Sequence, residues 1–457
     1  MTQSLDMPAA AQGVGMSALT LIPDGIGAFA RRAASARAAT ESLDLQYYMW
    51  KSDLTGQLLM REALAAADRG VPVRILVDAM YGLGRTFHLA ALAGHPAIAV
   101  RRFNATRWRR WGQLGLALEV LLGNWRLNRR MHNKAWIADG QLVICGGRNI
   151  GDSYFDASGE MNFRDLDVEL SGAPVADAAA LFEAFWQDSL SRPVRPRRRF
   201  RALRRLRARL ERLAMTAQAQ TYLGHVRDRG GHCLAVPDRE IRIIGDPPGK
   251  AHGLGDGCVA PTLRAMLAGT KREALLISPY FIPGEALLSR LIAMVQAGIR
   301  VSVITNSLAA TDVMAAHAGY SHYRRRLILA GVELHELKHS SDRRASMFGS
   351  SSASLHTKAV VVDDRLVFIG SFNLDPRSAN LNTEMGVLVN HAVLARLLRR
   401  QHAWLASGER SWRLAHHGGS LAWQDGRVSH TGSEPGATLT RRILTPILSL
   451  LPIESQL

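Results

Sequence analysis

Apolar and polar residues fall into blocks that predict a strand, a helix and a second strand near the start of the chain. Residues 43–49 form a short apolar-rich run, residues 56–68 carry apolar positions at helical spacing, and residues 73–77 form another apolar run. Short apolar runs of this length are typical of buried strands. A strand, a helix and a strand in this order favour a parallel or mixed sheet with helices on its faces.

The second half of the chain repeats this order. Residues 274–280 and 300–304 have the pattern of strands, and residues 285–297 between them have that of a helix. We therefore predict an α/β fold of two related lobes from an internal duplication, each with a mixed β-sheet flanked by helices. The predicted division is an N-terminal segment (1–40), a first lobe (41–191), an Arg-rich helical linker (192–236), a second lobe (237–410) and a C-terminal segment with an apolar-basic tail (411–457).

The linker begins with a dense run of arginine. Eleven arginines lie between residues 192 and 212, and Phe200, Leu203, Leu206 and Leu210 fall at helical spacing among them. One interpretation is a basic linker helix whose charged side is solvated. The other is a basic amphipathic helix that lies on anionic lipid.

Two further stretches combine apolar and basic residues. Residues 107–130 place an apolar run between Arg/Trp clusters, and residues 439–451 form an apolar run with a basic start. Tryptophan and arginine beside a short apolar run are typical of a membrane interface. Packing in an ordinary protein core would explain each stretch equally well.

Composition narrows the classes of partner. The 457 residues include 57 Lys and Arg against 39 Asp and Glu, a net charge of +18 that attracts polyanions such as nucleic acid or anionic lipid. Three cysteines without a CxxC pair exclude a disulfide framework and argue against a structural zinc site. We expect no signal peptide, since the N-terminus lacks a basic region followed by an apolar one, and no apolar run is long enough to span a bilayer.

One polar constellation occurs in both halves at identical spacing. In the first half it runs from His132 and Lys134 through Asp139 to residues 146–149, and in the second from His356 to residues 370–373. The second copy contains Lys358, Asp363, Ser371 and Asn373 where the first contains Lys134, Asp139, Gly147 and Asn149. A double occurrence in one register predicts a functional site.

The residue types suit a phosphate diester. In a strand, the histidine and lysine of each copy project from the same face. The lysines can neutralise phosphoryl oxygens, the asparagines can donate hydrogen bonds, one imidazole can attack phosphorus and the other can protonate the leaving alcohol. Each half supplies one histidine, so we predict a single site shared by both halves.

Two assignments stay open on the residues alone. Asp139 and Asp363 could be catalytic or could only cap turns. A catalytic histidine also needs a carboxylate to fix its tautomer, and the register aligns Glu384 with Asp165, with Asp167 as a close rival. We expect no metal, because the neighbouring lysines would repel a divalent cation.

At these residues the chain resembles the phospholipase D superfamily, whose mark is a paired HxKxxxxD motif. It is most similar to the bacterial cardiolipin synthases, and among them to the cardiolipin synthase C group. The stretches that carry the resemblance are residues 130–155, 304–325, 354–386 and 450–457. The resemblance implies two phospholipase D-like lobes with one active site at their interface, and no cofactor.

The resemblance also implies roles. His132 corresponds to the nucleophile that forms a phosphohistidine, and His356 to the general acid. Lys134, Lys358, Asn149, Asn373 and Ser371 would hold the phosphoryl group, Asp139 and Asp363 would complete the catalytic motifs, and Glu384 and Asp165 would orient the histidines. Gly147 in place of a serine leaves one hydroxyl ligand missing on its side.

The implied activity is phosphatidyl transfer to phosphatidylglycerol, with phosphatidylethanolamine or phosphatidylglycerol as donor. The implied location is peripheral, on an anionic phospholipid surface at the cytoplasmic face of the bacterial inner membrane. Alternatives are a hydrolytic phospholipase D, a nuclease of the same superfamily and a non-catalytic lipid-binding adaptor. We expect no nucleic acid partner, since two motifs accompany apolar-basic stretches.

Overall fold

The computed structural model describes residues 15–80, 87–105, 114, 118–119, 125–195, 199–226, 233–255, 257–339 and 352–450. The first half contributes the strands β1 (Met16–Ile22), β2 (Leu43–Tyr47), β3 (Val73–Asp78), β4 (Ile98–Phe103), β5 (Ala135–Ala138), β6 (Leu142–Gly146), β7 (Met161–Arg164), β8 (Asp167–Ser171) and β9 (Ser191–Pro193). Its helices are α1 (Gly25–Ala38), α2 (Leu54–Asp68), α3 (Phe87–Leu92) and α4 (Val175–Gln187). Two helices then lead to the second half, α5 (Arg199–Ala214) and α6 (Ala217–His225).

The second half has a corresponding set of strands and helices. Its strands, with β10 at the start, are β10 (Cys233–Pro237), β11 (Ile241–Gly245), β12 (Glu273–Ile277), β13 (Arg300–Asn306), β14 (Glu333–Leu337), β15 (Ser352–Leu355), β16 (Ala359–Val362), β17 (Leu366–Gly370), β18 (Met385–Asn390), β19 (Ser411–His417), β20 (Ser420–Gln424) and β21 (Ser429–Thr431). Its helices are α7 (Gly249–His252), α8 (Val259–Ala268), α9 (Gly284–Gln296), α10 (Met314–Leu329), α11 (Pro376–Asn380), α12 (Ala392–Ala406) and α13 (Leu439–Ser449).

The two large sheets share one strand order. The first sheet runs β10-β1-β8-β6-β5-β2-β3-β4-β9, and the second runs β11-β18-β17-β16-β12-β13-β14-β19-β20-β21. Seven consecutive strands correspond one to one, from β1 to β4 in the first order and from β11 to β14 in the second. In both sheets the last three of these strands are parallel and the others antiparallel. The predicted duplicated α/β fold with mixed sheets is confirmed.

Strands from the predicted flanking segments join these sheets. β1 pairs with β8 and with β10, so the chain before residue 40 and the chain at the end of the Arg-rich linker both enter the first sheet. β19 pairs with β14, which places part of the chain after residue 410 in the second sheet. The domain boundaries themselves stay a prediction.

A hydrophobic cluster is shared between the lobes. It contains buried residues of the first half, such as Val143 and Phe182, together with Ile243, Val387 and Leu398 of the second half. A small two-stranded sheet adds a direct link, because β7 of the first half pairs in parallel with β15 of the second. The relative position of the lobes is therefore fixed by a buried core and by backbone hydrogen bonds.

Helix α5 buries its apolar side against the first lobe. Leu203, Leu206 and Leu210 belong to the hydrophobic core that also contains residues of α2. Arg207 on the same helix pairs with Asp68 at the end of α2. This packing agrees with the interpretation of a basic linker helix, because it removes these three leucines from any contact with lipid.

Most of the predicted interfacial run at residues 107–130 lies outside the described residues. Among the helices that the structure does describe, none is both long enough and apolar enough to cross a membrane.

The packing of α5 predicts which of its residues stabilise the fold. Replacing the buried Leu206 with alanine should lower the free energy of unfolding by about 2–5 kcal/mol, because it removes methyl groups from a packed core. The same change at the exposed Arg204 should cost less than about 0.5 kcal/mol. Denaturant titration of both variants measures the difference, and equal midpoints would contradict the packing.

Candidate active site

Backbone hydrogen bonds across the lobe interface bring the two HxK segments together. The N–H of His132 donates to the carbonyl oxygen of Thr383 at 2.9 Å, and the N–H of His356 donates to that of Arg164 at 2.7 Å. Each histidine is thus tied to the residue that precedes the aligned carboxylate of the other lobe. The arrangement places both histidines at one interface, as the predicted shared site requires.

A buried polar side chain fixes the residue before each histidine. Asp78, at the end of β3, accepts a hydrogen bond from the N–H of Met131 at 3.0 Å. Asn306, at the equivalent end of β13, accepts one from the N–H of Leu355 at 2.8 Å. Sequence analysis overlooked both residues, although their equivalent positions at the ends of the duplicated strands were a usable signal.

The histidines pair with carboxylates of the opposite lobe. Nδ1 of His132 lies 2.8 Å from Oε2 of Glu384, and Nδ1 of His356 lies 2.5 Å from Oδ2 of Asp165. An Nδ1–H that donates to a carboxylate leaves the lone pair on Nε2, the tautomer that a nucleophile or base needs. The rival Asp167 instead pairs with Arg32 at 2.8 Å. We refer to the two contacts as the crossed His–carboxylate pairs.

Ser371 directs its hydroxyl to Glu384, not to the place where a phosphate would bind. Its Oγ donates to Oε2 of Glu384, and the Oγ of Ser378 donates to Oε1 at 2.9 Å. In this structure Ser371 holds the carboxylate, and its expected role as a phosphate ligand stays a prediction. At the equivalent Gly147, a Cβ would come within 2.1 Å of Oδ1 of Asp165. The carboxylate of Asp165 therefore leaves no room for a side chain at this position.

The two lysines are buried beside their histidines. Nζ of Lys134 donates to the carbonyl oxygen of His132 at 2.7 Å, and Nζ of Lys358 donates to that of His356 and lies 2.9 Å from its Nδ1. Burial lowers the pKa of Lys134 to about 7 and that of Lys358 to about 8, with the nearby carboxylates opposing the shift. A bound anion would favour the charged form of both lysines.

Both imidazoles are also shifted toward the neutral form. Burial lowers the pKa of His132 to about 4, although Glu384 opposes the shift. Burial, followed by the charge of Lys358, lowers the pKa of His356 as well. Burial alone would raise the pKa of each carboxylate, but the facing histidine brings the pKa of Glu384 and of Asp165 below its ordinary value.

The two asparagines supply polar atoms that have no partner in the protein. Asn149 and Asn373 are buried, and the Oδ1 atom of each makes no hydrogen bond. Nδ2 of Asn149 donates to the hydroxyl of Tyr154 at 3.0 Å. Because buried polar groups are normally satisfied, these amides mark the space in which a polar ligand would bind. Rotated by half a turn, an amide presents donors to an anion.

Aromatic side chains that the sequence analysis did not single out enclose the imidazoles. The ring centroid of Tyr48 lies 5.2 Å from that of His132. Those of Tyr154 and Phe163 lie 5.2 Å and 4.9 Å from that of His356. These rings exclude water from the imidazoles and contribute to their lowered pKa. No three His, Cys, Asp or Glu side chains converge as metal ligands within the described part of the chain.

Asp139 and Asp363 do not enter this site. Asp139 accepts hydrogen bonds from the backbone N–H groups of residues 40–42, and Asp363 accepts them from residues 271–273. Both adopt a positive φ, 54° and 51°, in the turn after the strand. At the rise of a strand, seven residues separate each from its histidine by about 20 Å. These contacts are those of loop anchors, and the expected catalytic role stays a prediction.

The chain matches the family described as "Cardiolipin synthase, PLD-like domain" twice, over residues 34–186 and 263–405. It is 35% identical to "Cardiolipin synthase C" of Escherichia coli, over 98% of each chain. It is 24% identical to "Major cardiolipin synthase ClsA" of Bacillus subtilis, over 84% of this chain and 67% of that protein.

A solved structure has the same fold over most of the chain. The crystal structure of phosphatidylserine synthase from Haemophilus influenzae superposes with a TM-score of 0.60 at 16% identity, covering 87% of this chain and 88% of that one.

The loop-anchoring role of Asp139 predicts a separation of stability from activity. Asp139→Asn removes charge-assisted hydrogen bonds, so it should lower the free energy of unfolding by about 1–3 kcal/mol. Turnover per folded molecule should stay within about threefold of the unchanged protein, by comparison with the large losses expected when an active-site group is removed. Thermal denaturation and an activity assay on the same preparation check both values, and a loss of turnover near that of His132→Ala would support a catalytic role for Asp139.

The lysine pKa values predict the pH dependence of kcat/KM, which reports on the free enzyme. A lysine whose pKa is lowered loses its proton as the pH rises through that value, so the attraction for a phosphate weakens above about pH 7. We expect kcat/KM on a water-soluble short-chain phospholipid to decline on the alkaline side from about pH 7–8. A profile that is flat to pH 9.5 would contradict the predicted lysine role.

Proposed function

Because this chain belongs to the phospholipase D-like family of cardiolipin synthases, we propose that it moves a phosphatidyl group to phosphatidylglycerol through a phosphohistidine intermediate. Membership makes the chain a phosphatidyltransferase of the phospholipase D superfamily. The donor that we propose is phosphatidylethanolamine or phosphatidylglycerol, and the product is cardiolipin. The observation that carries the proposal is the pair of crossed His–carboxylate contacts, because they join one nucleophile and one acid in a single site.

In the first step, Nε2 of His132 attacks the phosphorus of the donor. The P–N bond forms as the P–O bond to the head-group alcohol breaks, and His356 gives its proton to the departing oxygen. Glu384 compensates the positive charge that develops on His132. The lowered pKa of His132, about 4, keeps its Nε2 unprotonated and able to attack.

In the second step, His356 takes the proton of an incoming primary alcohol. The alcohol oxygen of phosphatidylglycerol bonds to phosphorus, the P–N bond breaks, and His132 returns to its neutral form. Lys134, Lys358, Asn149 and Asn373 hold the non-bridging oxygens in both steps. Tyr154 and Phe163 limit the access of water to His356, which favours a lipid alcohol over hydrolysis.

The lipid partners and the location extend this proposal. The substrates lie in a bilayer, and the net charge of +18 favours an anionic one. We propose that the protein binds peripherally to the cytoplasmic face of the inner membrane.

Product analysis by mass spectrometry tests the activity. Purified protein should form cardiolipin from phosphatidylglycerol in mixed micelles, with or without phosphatidylethanolamine as donor. His132→Ala should reduce the product to background, because the nucleophile is missing, whereas the matched control His225→Ala should leave it unchanged, since His225 is exposed outside the site. Phosphatidic acid as the sole product would make the enzyme a hydrolase, and cleavage of DNA without any lipid product would favour the nuclease.

A second experiment tests the roles of the two histidines. A phosphatidyl ester of p-nitrophenol needs no acid for its leaving group but still needs a base in the second step. The variant His356→Ala should therefore release one equivalent of p-nitrophenol per protein molecule. It should then retain a covalent phosphatidyl group, which intact-protein mass spectrometry detects. An adduct that accumulates on His132→Ala but not on His356→Ala would exchange the two roles.

A further inference from the structure

Helix α13 exposes a stripe of large apolar side chains. Their spacing along the helix of four, four and three residues puts them on one side, with one further residue beside the stripe. They are between 38% and 84% exposed: Leu439, Ile443, Leu444, Ile447 and Leu450. We call this surface the α13 stripe. Isolated exposed leucines are common, but a continuous stripe of this kind marks an interaction surface.

The other side of α13 is fixed to the second lobe. Nη1 of Arg441 donates to the carbonyl oxygens of Leu308 and Thr311 at 2.6 and 2.8 Å. His322 of α10 contacts the carbonyl oxygen of Ser449 at 3.1 Å, and Thr445 is buried. These contacts hold the helix in one orientation, with the α13 stripe facing outward.

The loop that holds α13 also reaches the candidate active site. It follows β13, whose last residue, Asn306, fixes Leu355 directly before His356. Asp312 follows Thr311 in this loop, and its charge acts on both His356 and Lys358. The α13 stripe is therefore attached to the edge of the site beside His356.

We propose that α13 is the helix by which this enzyme docks on an anionic bilayer, with the α13 stripe among the acyl chains and the site facing the head groups. The proposal rests on the proposed function, since that function requires lipid substrates. Charge favours a bilayer over a protein partner. Helix α13 contains no acidic residue, and the guanidinium groups of Arg441 and Arg442 contact carbonyl oxygens, so their positive charges are not cancelled by these contacts.

Vesicle binding and turnover of one double variant test the docking helix. In Ile443→Ser/Ile447→Ser, binding to vesicles of phosphatidylglycerol and phosphatidylethanolamine should weaken at least tenfold, and turnover on those vesicles should fall with it. Turnover on a monomeric short-chain phosphatidylglycerol should stay unchanged, because the site is intact. The matched control Met215→Ser/Leu254→Ser removes two even more exposed apolar residues elsewhere and should behave as the unchanged protein.

Three results would overturn the docking proposal. They are unchanged vesicle binding with unchanged oligomeric state, an equal loss of turnover on the monomeric lipid, and unchanged vesicle binding with a changed oligomeric state. The last result would make the α13 stripe a contact between copies of the chain. Failure of the proposed function would give a different set of results from failure of the docking proposal. The unchanged protein would then form no product from either lipid, while the double variant would still lose vesicle binding and so support docking.

Discussion

The structure depends on two buried imidazole–carboxylate contacts that cross from one lobe to the other. Removal of either histidine would leave a buried carboxylate without the imidazole that faces it, and an unpaired buried charge is strongly destabilising. Together, two lysines balance Glu384 and Asp165 while both histidines are neutral. An entering phosphodiester adds one negative charge, which favours protonation of one imidazole. Substrate binding itself can thus prepare the general acid.

The two halves differ in small ways around their carboxylates, although their folds are equivalent. The strand order and the polar anchors Asp78 and Asn306 are equivalent, yet Glu384 is held by two serine hydroxyls whereas Asp165 faces Gly147. Asp165 accepts instead the backbone N–H of Leu166 at 2.8 Å, so the two carboxylates are held against their histidines in different ways. One fold used twice can in this way give one imidazole the role of nucleophile and the other that of acid.

The repeated HxK spacing was enough to predict the duplicated sheets and one site between them. It could not predict that the pairs cross, because Glu384 and Asp165 are equivalent residues, and their register is the same whether each serves its own lobe or the other. The two readings of Asp139 and Asp363 could not be separated for a related reason. Strand alternation tells which side a residue faces but not which end of the strand it occupies, and both aspartates lie at the end remote from the histidines. The contact of Ser371 could not be predicted for another reason. Its hydroxyl can rotate, and in the structure it points to the carboxylate of Glu384, thirteen residues away.

Helices α5 and α13 show why an apolar-basic pattern alone does not identify a membrane contact. Both combine arginines with leucines at helical spacing, and the sequence left both open between packing and lipid. In α5, Leu203, Leu206 and Leu210 meet the leucines of α2 and are removed from water. In α13 the inner side is attached through Arg441, whose guanidinium donates to carbonyl oxygens of the second lobe, and Thr445 is buried on the same helix. The inner side of α13 is thus in contact with the second lobe. Its apolar side faces outward, where a partner outside the chain can bind.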